Sequence, residues 1–333
     1  LVIFSNDGPE VCFALDADLP RLGFLGCLWR YACAEQSPMR LPNLLPDLAS
    51  LSPERPDLLV VQSESFFDPR SYFPGIRSDV LAEFDRLNVE SICHGQLQVP
   101  AWGANTVRSE FAFLSGATEA MLGVHRFNPY RQIFKTEVNS VARVLKAAGY
   151  RTVCIHPYAA SFYGRDKVYP HLGFDEFIDV RSFEGSERFG PYVSDRAVAD
   201  KVRSLMASTE GPIFVFVITM ENHGPLHMEK PDENDNAALY AEKPPSGCED
   251  LTVYLRHLRN ADRMMGDLRN FLTQHSRPAR LCWYGDHVPI MPEVYRQFGP
   301  PDGRTNYFVW ENRICVSVES QELKLTELAS ASL

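Results

Sequence analysis

The sequence predicts an α/β domain with a central, largely parallel β-sheet and helices on both faces. Short runs of consecutive apolar residues, typical of strands buried on both sides, recur along the chain. Segments with helical spacing separate these runs, and this alternation is typical of a parallel sheet. At 333 residues, the chain is long enough for one large domain with a deep core.

The N-terminal segment is irregular and rich in proline. We therefore predict a linker or wrapping segment over 1–56 and a folded domain over 57–333. Within the first segment, Leu19–Cys33 is predicted to be an amphipathic helix on the domain or on a membrane surface. Two arginines interrupt it, and it is shorter than the roughly 20 apolar residues that span a bilayer. The chain begins at Leu1 without a signal-like segment, so an anchor is expected upstream.

Each later element has its own signal. The first predicted helix stops at Gly149, a common residue after a helix C-terminus. Met228–Asp250 is polar and too long for a tight connection, so it is predicted to be a functional lid or a disordered loop. The predicted strands are Leu58–Gln62, Thr152–His156, Ile213–Thr219 and Leu281–Tyr284, and the predicted helices are Ser140–Ala148, Asp195–Met206 and Asp250–Gln274.

Composition excludes some classes of function. The net charge is −10 and no stretch is dense in lysine or arginine, which disfavours binding to nucleic acid. The eight cysteines form no C-x-x-C pair, so a zinc ribbon or a thioredoxin motif is not expected. Cys154, Cys282 and Cys315 lie in apolar, strand-like runs and are predicted to be core residues.

Reactive side chains follow the ends of four predicted strands. In an open α/β sheet, ligands bind at the carboxyl ends of the strands. Four such placements, from segments far apart in sequence, predict one site. The residues are Glu64, His156, the Asn222-His223 pair and the Asp286-His287 pair.

Glu64, Asp286 and His287 are candidate metal ligands. Two carboxylates and one imidazole suit a hard or borderline divalent ion such as Mn²⁺, Mg²⁺ or Zn²⁺. Taken alone, each residue is better explained as a solvated loop residue. Together, at the ends of strands, they favour a metal site.

Three further residues have candidate roles in chemistry. Thr106 precedes a probable helix, where a threonine is usually an N-cap but is also placed to act as a nucleophile toward a phosphate. His223 suits proton transfer or a phosphate hydrogen bond, with a structural histidine as the alternative. Arg165 offers a planar fork for a phosphate, and the alternative is a surface ion pair with Asp166 or Asp175.

With these residues in place, the sequence resembles the lipoteichoic acid synthase group, which consists of membrane-anchored phosphoglycerol transferases with an extracellular, sulfatase-like domain of the alkaline phosphatase superfamily. The resemblance runs in order from about Pro56 to about Ser317. Several blocks in the right order are more specific than any single motif. They are VVQSESF, NTVRSEFAFLSG, SVARVLKAAGYRTVCIHP, SFYGRDKVYPHLGFDEFID, ITMENHGP and YGDH.

The resemblance implies an alkaline-phosphatase-like fold and an extracytoplasmic enzyme, tethered to the membrane by an anchor outside this chain. It implies that a phosphoglycerol group is transferred from a lipid donor to a glycan or glycolipid hydroxyl through a phospho-threonine. The expected donor is phosphatidylglycerol. One ion, usually Mn²⁺, would be bound by Glu64, Thr106, Asp286 and His287. Thr106 and His223 would be catalytic, and the substrate would contact His156, Tyr163, Arg165 and His223.

Two departures from the group affect the substrate. Tyr158 stands where these enzymes carry an acidic residue that recognises glycerol. Arg108 is a basic residue near the nucleophile that departs from the pattern of the group. A phosphoethanolamine transferase, or a phosphodiesterase or phosphatase of the same superfamily, is therefore kept as an alternative. A sulfatase is disfavoured because the C/S-x-P-x-R motif does not occur.

Overall fold

A computed structural model describes residues 10–46, 54–134, 137–314 and 318–333. Cys315 and residues 47–53 of the proline-rich stretch lie outside these ranges. The strands are β1 (Asp57–Ser63), β2 (Cys93–Gln98), β3 (Arg151–Ile155), β4 (Glu176–Ile178), β5 (Arg188–Phe189), β6 (Tyr192–Val193), β7 (Ile213–Ile218), β8 (Ala279–Gly285), β9 (Thr305–Glu311) and β10 (Leu323–Lys324).

The α-helices surround the sheet, and short 3₁₀ turns connect several elements. The α-helices are α1 (Leu15–Glu35), α2 (Ala82–Glu90), α3 (Thr106–Ser115), α4 (Glu119–Leu122), α5 (Val141–Ala147), α6 (Arg165–His171), α7 (Asp195–Ala207), α8 (Glu233–Leu239), α9 (Glu249–Thr273), α10 (Pro292–Phe298) and α11 (Leu325–Ser332). The 3₁₀ turns are Pro69–Ser71, Ser78–Leu81, Gly123–Phe127, Pro129–Gln132, Phe162–Gly164, Val180–Phe183 and Leu226–Met228.

The central sheet confirms the predicted fold class. Over the described residues it has eight strands in the order β10-β2-β9-β8-β1-β7-β3-β4. Strand β9 runs antiparallel to both of its neighbours, and the other pairs are parallel. The predicted strands form the middle of this sheet, because continuous apolar runs belong where both faces are covered.

Successive side chains of β1 point into two separate cores. Leu59 and Val61 pack with α2, α7 and α9, whereas Leu58 and Val60 pack with α3, α5 and α11. Every residue of β1 is buried, so the strand needs apolar side chains on both faces. The helices thus cover both faces, as the sequence predicts.

Helices α1 and α8 can be compared with the predictions made from the sequence. The helix predicted over Leu19–Cys33 lies within α1, where the chain bends at Gly23. Within Met228–Asp250, predicted to be a functional lid or a disordered loop, the middle is ordered and forms α8. Its polar sequence conceals a capping box, in which the Asp232 and Asp235 side chains each accept the other's backbone N–H.

The described ranges show the state of the cysteines and the apolar character of the helices. The seven cysteines within them are free thiols, and the predicted core residues Cys154 and Cys282 are buried. In the same ranges, none of the helices has both the length and the apolar character to cross a bilayer.

A buried aspartate on α9 fixes the start of α2. The Asp262 carboxylate accepts hydrogen bonds from the backbone N–H groups of Glu83 (3.1 Å) and Phe84 (2.8 Å). These N–H groups lie in the first turn of α2, where the helix supplies no partner of its own. Asp262 therefore acts as an N-terminal cap supplied from another helix.

We expect Asp262→Ala to lower the free energy of unfolding by about 1–2 kcal/mol, the usual effect of removing a helix cap. Urea denaturation followed by circular dichroism measures this. The control is Asp200→Ala, which removes an exposed aspartate on α7 and should leave the midpoint unchanged. Equal midpoints for both variants would contradict the capping role.

Candidate active site

Four parallel strands bring the predicted site residues to one edge of the sheet. Strands β8, β1, β7 and β3 are neighbours in that order. Because they run parallel, their carboxyl ends lie together. The residues that follow them are Asp286 and His287 after β8, Glu64 after β1, Asn222 and His223 after β7, and His156 after β3.

Glu64, Asp286 and His287 form a compact, buried cluster. Their ligand atoms all lie within 4.8 Å of one another. The Nε2 atom of His287 lies 3.6 Å from Glu64 Oε1 and 3.4 Å from Asp286 Oδ2. Two carboxylates and one imidazole at these distances can hold a divalent ion.

The surrounding backbone fixes this cluster. The Ser65 N–H donates to Asp286 Oδ1 (2.9 Å), and the Ser65 hydroxyl donates to Glu64 Oε1 (2.9 Å). His287 Nδ1 lies 3.0 Å from the carbonyl of Val288, which can only accept, so Nδ1 carries the proton. Nε2, the nitrogen that faces the carboxylates, is then the ring atom that can ligate a cation.

Gly285 permits the close approach of β8 and the turn that follows β1. A Cβ atom here would lie 1.8 Å from the carbonyl oxygen of Phe66, so no larger residue fits. Asp286 follows directly, and its carbonyl accepts from the Ser109 hydroxyl at 2.7 Å.

The electrostatics of the cluster fit a bound cation. Burial and the neighbouring Glu64 raise the pKa of Asp286 to about 7, although His287 opposes the shift. Among the described residues, Asp286 Oδ2 has no hydrogen-bond partner. A buried, unpaired carboxylate oxygen beside a second carboxylate is unfavourable, and a divalent ion would relieve it.

Thr106 stands at the first position of α3, beside this cluster. Its side chain is half-buried, and its hydrogen bond to Asp286 lowers the pKa of that carboxyl. Asn105, which precedes it, has a φ of 68°, in the left-handed region. The turn thus presents the Thr106 hydroxyl at a helix N-terminus, where the helix dipole favours an anion.

Arg165 is buried, and the alternative of a surface pair with Asp166 or Asp175 is wrong. Its partner is Glu110: the Arg165 Nε atom donates to Glu110 Oε2 at 3.1 Å, and Nη2 donates to Oε1. Burial would raise the pKa of Glu110, but Arg165 lowers it, so the carboxyl is ionised. Within the described part of the chain, Arg165 Nη1 has no partner.

Glu110 is a site residue that sequence reasoning missed. It also accepts from the hydroxyls of Tyr130 (2.6 Å) and Tyr169 (2.8 Å), so four donors surround it. One signal was available, since Glu110 lies four residues after Thr106 and therefore on the same face of a helix. Arg165 is further covered by the Tyr163 ring, whose centroid lies 5.2 Å from the guanidinium carbon.

The two predicted substrate histidines differ in their surroundings. His156 is buried, and burial and Arg165 lower its pKa to about 3, so the ring is neutral at physiological pH. Its Nδ1 atom lies 3.1 Å from the carbonyl of Ile218, which leaves Nε2 as a hydrogen-bond acceptor. His223 is exposed, and its Nδ1 contacts the Gly224 carbonyl (2.6 Å) and the Tyr192 hydroxyl (3.2 Å).

A cavity of about 490 Å³ connects these residues. Apart from Asp286, which is fully buried behind it, each predicted site residue lines the cavity. Asn222 also lines it, and neither polar atom of its buried amide has a partner among the residues described. The predicted residues thus lie together: Glu64, Thr106, His156, Tyr163, Arg165, His223 and His287.

Comparison with known proteins identifies related chains. The family model described as sulfatase matches residues 56–332. The capsular polysaccharide biosynthesis protein RkpI of Rhizobium meliloti (strain 1021) is 34% identical over 259 residues. That match covers 77% of this chain and 45% of RkpI, so the chain spans about half the length of this relative.

Two solved structures share the fold. The phosphoglycerol transferase GacH of Streptococcus pyogenes, in complex with sn-glycerol-1-phosphate, aligns with a TM-score of 0.69 and 22% identity. That alignment covers 91% of this chain and 78% of GacH. The lipoteichoic acid synthase LtaP of Listeria monocytogenes aligns with a TM-score of 0.63 and 18% identity, over 90% of this chain and 76% of LtaP.

We expect Asp286→Asn to weaken divalent metal binding by at least roughly 10- to 100-fold. In metalloproteins generally, this is the effect of changing a residue that only hydrogen-bonds a metal ligand. Elemental analysis and titration with Mn²⁺ measure this directly. Asp302→Asn, at an exposed aspartate away from the cluster, is the control and should bind as the wild type does. Unchanged Mn²⁺ affinity in Asp286→Asn would remove this residue from the metal site.

We expect Glu110→Gln to lower the free energy of unfolding by about 3–5 kcal/mol, because it leaves the buried Arg165 charge without its counterion. Urea denaturation measures the change. Glu119→Gln breaks a more exposed arginine pair, with Arg108, and should change the stability by no more than about 1 kcal/mol. A Glu110→Gln protein as stable as Glu119→Gln would show that Arg165 does not depend on Glu110.

Proposed function

The chain belongs to the sulfatase family, and from that premise we propose that it transfers a phosphoglycerol group from a phospholipid to a hydroxyl of a glycan or glycolipid. Thr106 is the proposed nucleophile, and phosphatidylglycerol is the proposed donor. The proposed location is extracytoplasmic. Membrane tethering through a segment outside this sequence stays a prediction.

The position of Thr106 carries this proposal. Its hydroxyl lies at a helix N-terminus, beside the Glu64, Asp286 and His287 cluster, in a cavity that Arg165 also lines. A hydroxyl, a metal-binding cluster and a guanidinium are the parts that phosphoryl transfer through a covalent enzyme intermediate requires. The similarity to GacH and RkpI supports phosphoglycerol as the transferred group and a polysaccharide as the acceptor.

One divalent ion would be held by Glu64, Thr106, Asp286 and His287. Mn²⁺ is the proposed ion, with Mg²⁺ or Zn²⁺ as alternatives. When bound, such an ion lowers the pKa of a coordinated hydroxyl and polarises the phosphoryl group.

The chain's own residues then divide the remaining work. Arg165, held by Glu110, directs its unpartnered Nη1 to a phosphate oxygen. Thr106 releases its hydroxyl proton to solvent, and its Oγ1 attacks phosphorus. The bond to the diacylglycerol oxygen breaks, that oxygen takes a proton, and Thr106 is reprotonated from solvent when the acceptor later displaces it. His223, with Nδ1 engaged by a carbonyl, uses Nε2 to carry the proton that the diacylglycerol oxygen takes and then to accept one from the acceptor hydroxyl that displaces Thr106.

His156 and Tyr163 hold the substrate in this proposal. As a neutral ring whose Nδ1 is engaged, His156 offers an acceptor nitrogen to a substrate hydroxyl. Tyr163 covers the guanidinium of Arg165 and keeps water from it. The Tyr158 side chain lines the same cavity, where the resembling enzymes carry an acidic group.

We expect the wild-type protein, incubated with phosphatidylglycerol labelled in its head group, to acquire a phosphoglyceryl adduct on Thr106. Thr106→Ala should form no adduct and lose transfer by several orders of magnitude, since the nucleophile is gone. Thr106→Ser should retain part of the activity. Mass spectrometry locates the adduct, and Thr118→Ala, which removes a helix-capping threonine outside the cavity, is the control.

Other outcomes of that experiment discriminate the alternatives. Preferential labelling by phosphatidylethanolamine would identify a phosphoethanolamine transferase. Release of glycerol phosphate at a rate independent of added acceptor would identify a phosphodiesterase. Normal transfer by a folded Thr106→Ala protein would remove Thr106 from the mechanism.

A further inference from the structure

The segment Glu221–Glu229 follows β7 and forms one wall of the cavity. It carries Asn222, His223 and His227 to that wall. The glutamates at its two ends both contact a single residue, His257, on helix α9. The segment is thus attached at both ends to one imidazole.

The contacts of His257 define its charge. Its Nδ1 atom lies 3.2 Å from Glu221 Oε1, and its Nε2 atom lies 3.0 Å from Glu229 Oε1. An ionised carboxylate only accepts hydrogen bonds, so both ring nitrogens must carry protons. Burial would lower the pKa of His257, but the two carboxylates outweigh it and raise the pKa.

Further groups fix the Glu221 end. Glu221 Oε2 accepts from the backbone N–H of Asp195 (2.7 Å), at the start of α7, and Oε1 accepts from Asn260 Nδ2 (2.7 Å). Burial and the neighbouring Glu221 raise the pKa of Asp195 well above its usual range.

The Glu229 end is equally constrained. Glu229 also accepts from Arg256 (2.6 Å), and this guanidinium donates to Asp235 (3.0 Å) as well. Gly190 has a φ of +60°, and a Cβ atom on it would lie 2.6 Å from Glu229 Oε1, so a larger residue would displace this carboxylate. The edge-on ring of Phe189, 5.3 Å from the imidazole centroid, covers His257.

We propose that His257, as an imidazolium, is a positioning residue that holds both ends of the Glu221–Glu229 segment and thereby fixes His223 in the cavity. The effect on turnover rests on the proposed function, whereas the clamp itself does not. Within the part of the chain that the structure describes, the titratable residues that contact His257 or its two glutamates are Asp195, through its backbone N–H, and Arg256, which also pairs with Asp235.

The clamp has a defined dependence on pH. A histidine whose pKa is raised by folding stabilises the structure at low pH, and this contribution is lost as the pH rises through the folded-state pKa. Above that pKa, one ring nitrogen loses its proton and faces a carboxylate without a donor. The segment should then loosen, and turnover should fall on the alkaline side.

The test compares His257→Gln and Glu229→Gln with the wild type. Glutamine has a single donor nitrogen, so it cannot reach both carboxylates as the two ring nitrogens of His257 do. We expect kcat to fall roughly 10- to 100-fold, the effect of a small misplacement of a catalytic group. KM for phosphatidylglycerol and metal content should stay unchanged, because Arg165 and the metal cluster are intact. Glu229→Gln should move the alkaline limb of the kcat profile down by about one pH unit or more.

Hydrogen exchange of the backbone amides in the Glu221–Glu229 segment, corrected for intrinsic rates, tests the clamp without substrate. We expect faster exchange in both variants, and in the wild type at pH above the His257 pKa measured by NMR. His275→Gln is the matched control. His275 lies just after the end of α9 and pairs with the buried Asp57 (2.7 Å) at the start of β1. It should alter neither the exchange in the segment nor the alkaline limb.

Unchanged exchange and an unchanged alkaline limb in folded His257→Gln and Glu229→Gln proteins would overturn the proposal. If His257→Gln does not fold, Glu229→Gln decides alone. A wild type that transfers from no donor would refute the proposed function, while the exchange and NMR measurements would still decide whether His257 is the clamp.

Discussion

Glu64 and Asp286 bring two buried carboxylates to the ends of neighbouring parallel strands, and like charges so close repel strongly in a poorly polarisable interior. The fold accepts this arrangement because a backbone N–H, a serine hydroxyl and His287 compensate part of the charge. The remaining demand for positive charge is what makes this edge of the sheet the proposed metal site. Thr106 lies where its hydroxyl shares that environment.

A second charge balance is built on the same helix. Glu110 lies one turn after Thr106 on α3 and neutralises Arg165, so one helix sets the place of both the hydroxyl and the guanidinium. The Tyr130 and Tyr169 hydroxyls complete the shell around Glu110. Because Glu110 uses only two of the three guanidinium nitrogens, Arg165 keeps a donor for another anion.

The sequence predicted the elements whose signal is local. Strands β1, β3, β7 and β8 are continuous apolar runs, and their observed bounds agree with the predicted ones to within a residue or two. Strand β2 was not predicted because only Leu97 among its six residues is buried, so the run looks like a polar loop. The placement of candidate site residues at strand ends followed from the same local signal.

Residues that act through distant partners could not be predicted in this way. Glu110 pairs with Arg165, 55 positions away, and its spacing from Thr106 does not reveal this partner. His257 lies in a helical stretch rich in charged residues, YLRHLRNAD, and reads as a surface position. Its contacts with Glu221 and Glu229 exist only once α9 packs beside β7.

The strand order also bears on how the domain acquires its site. Ser65 and Asp286 are joined by a hydrogen bond across 221 positions of sequence, and Glu64 is tied to Thr219 across 155. Contacts of such long range form slowly, because a large loop must close before they are made. No segment shorter than Glu64–His287 contains all the proposed metal ligands. A nascent polypeptide therefore brings them together only after β8 has joined the sheet. Metal uptake would therefore report the completion of folding, and the ion would stabilise only the finished domain by mass action.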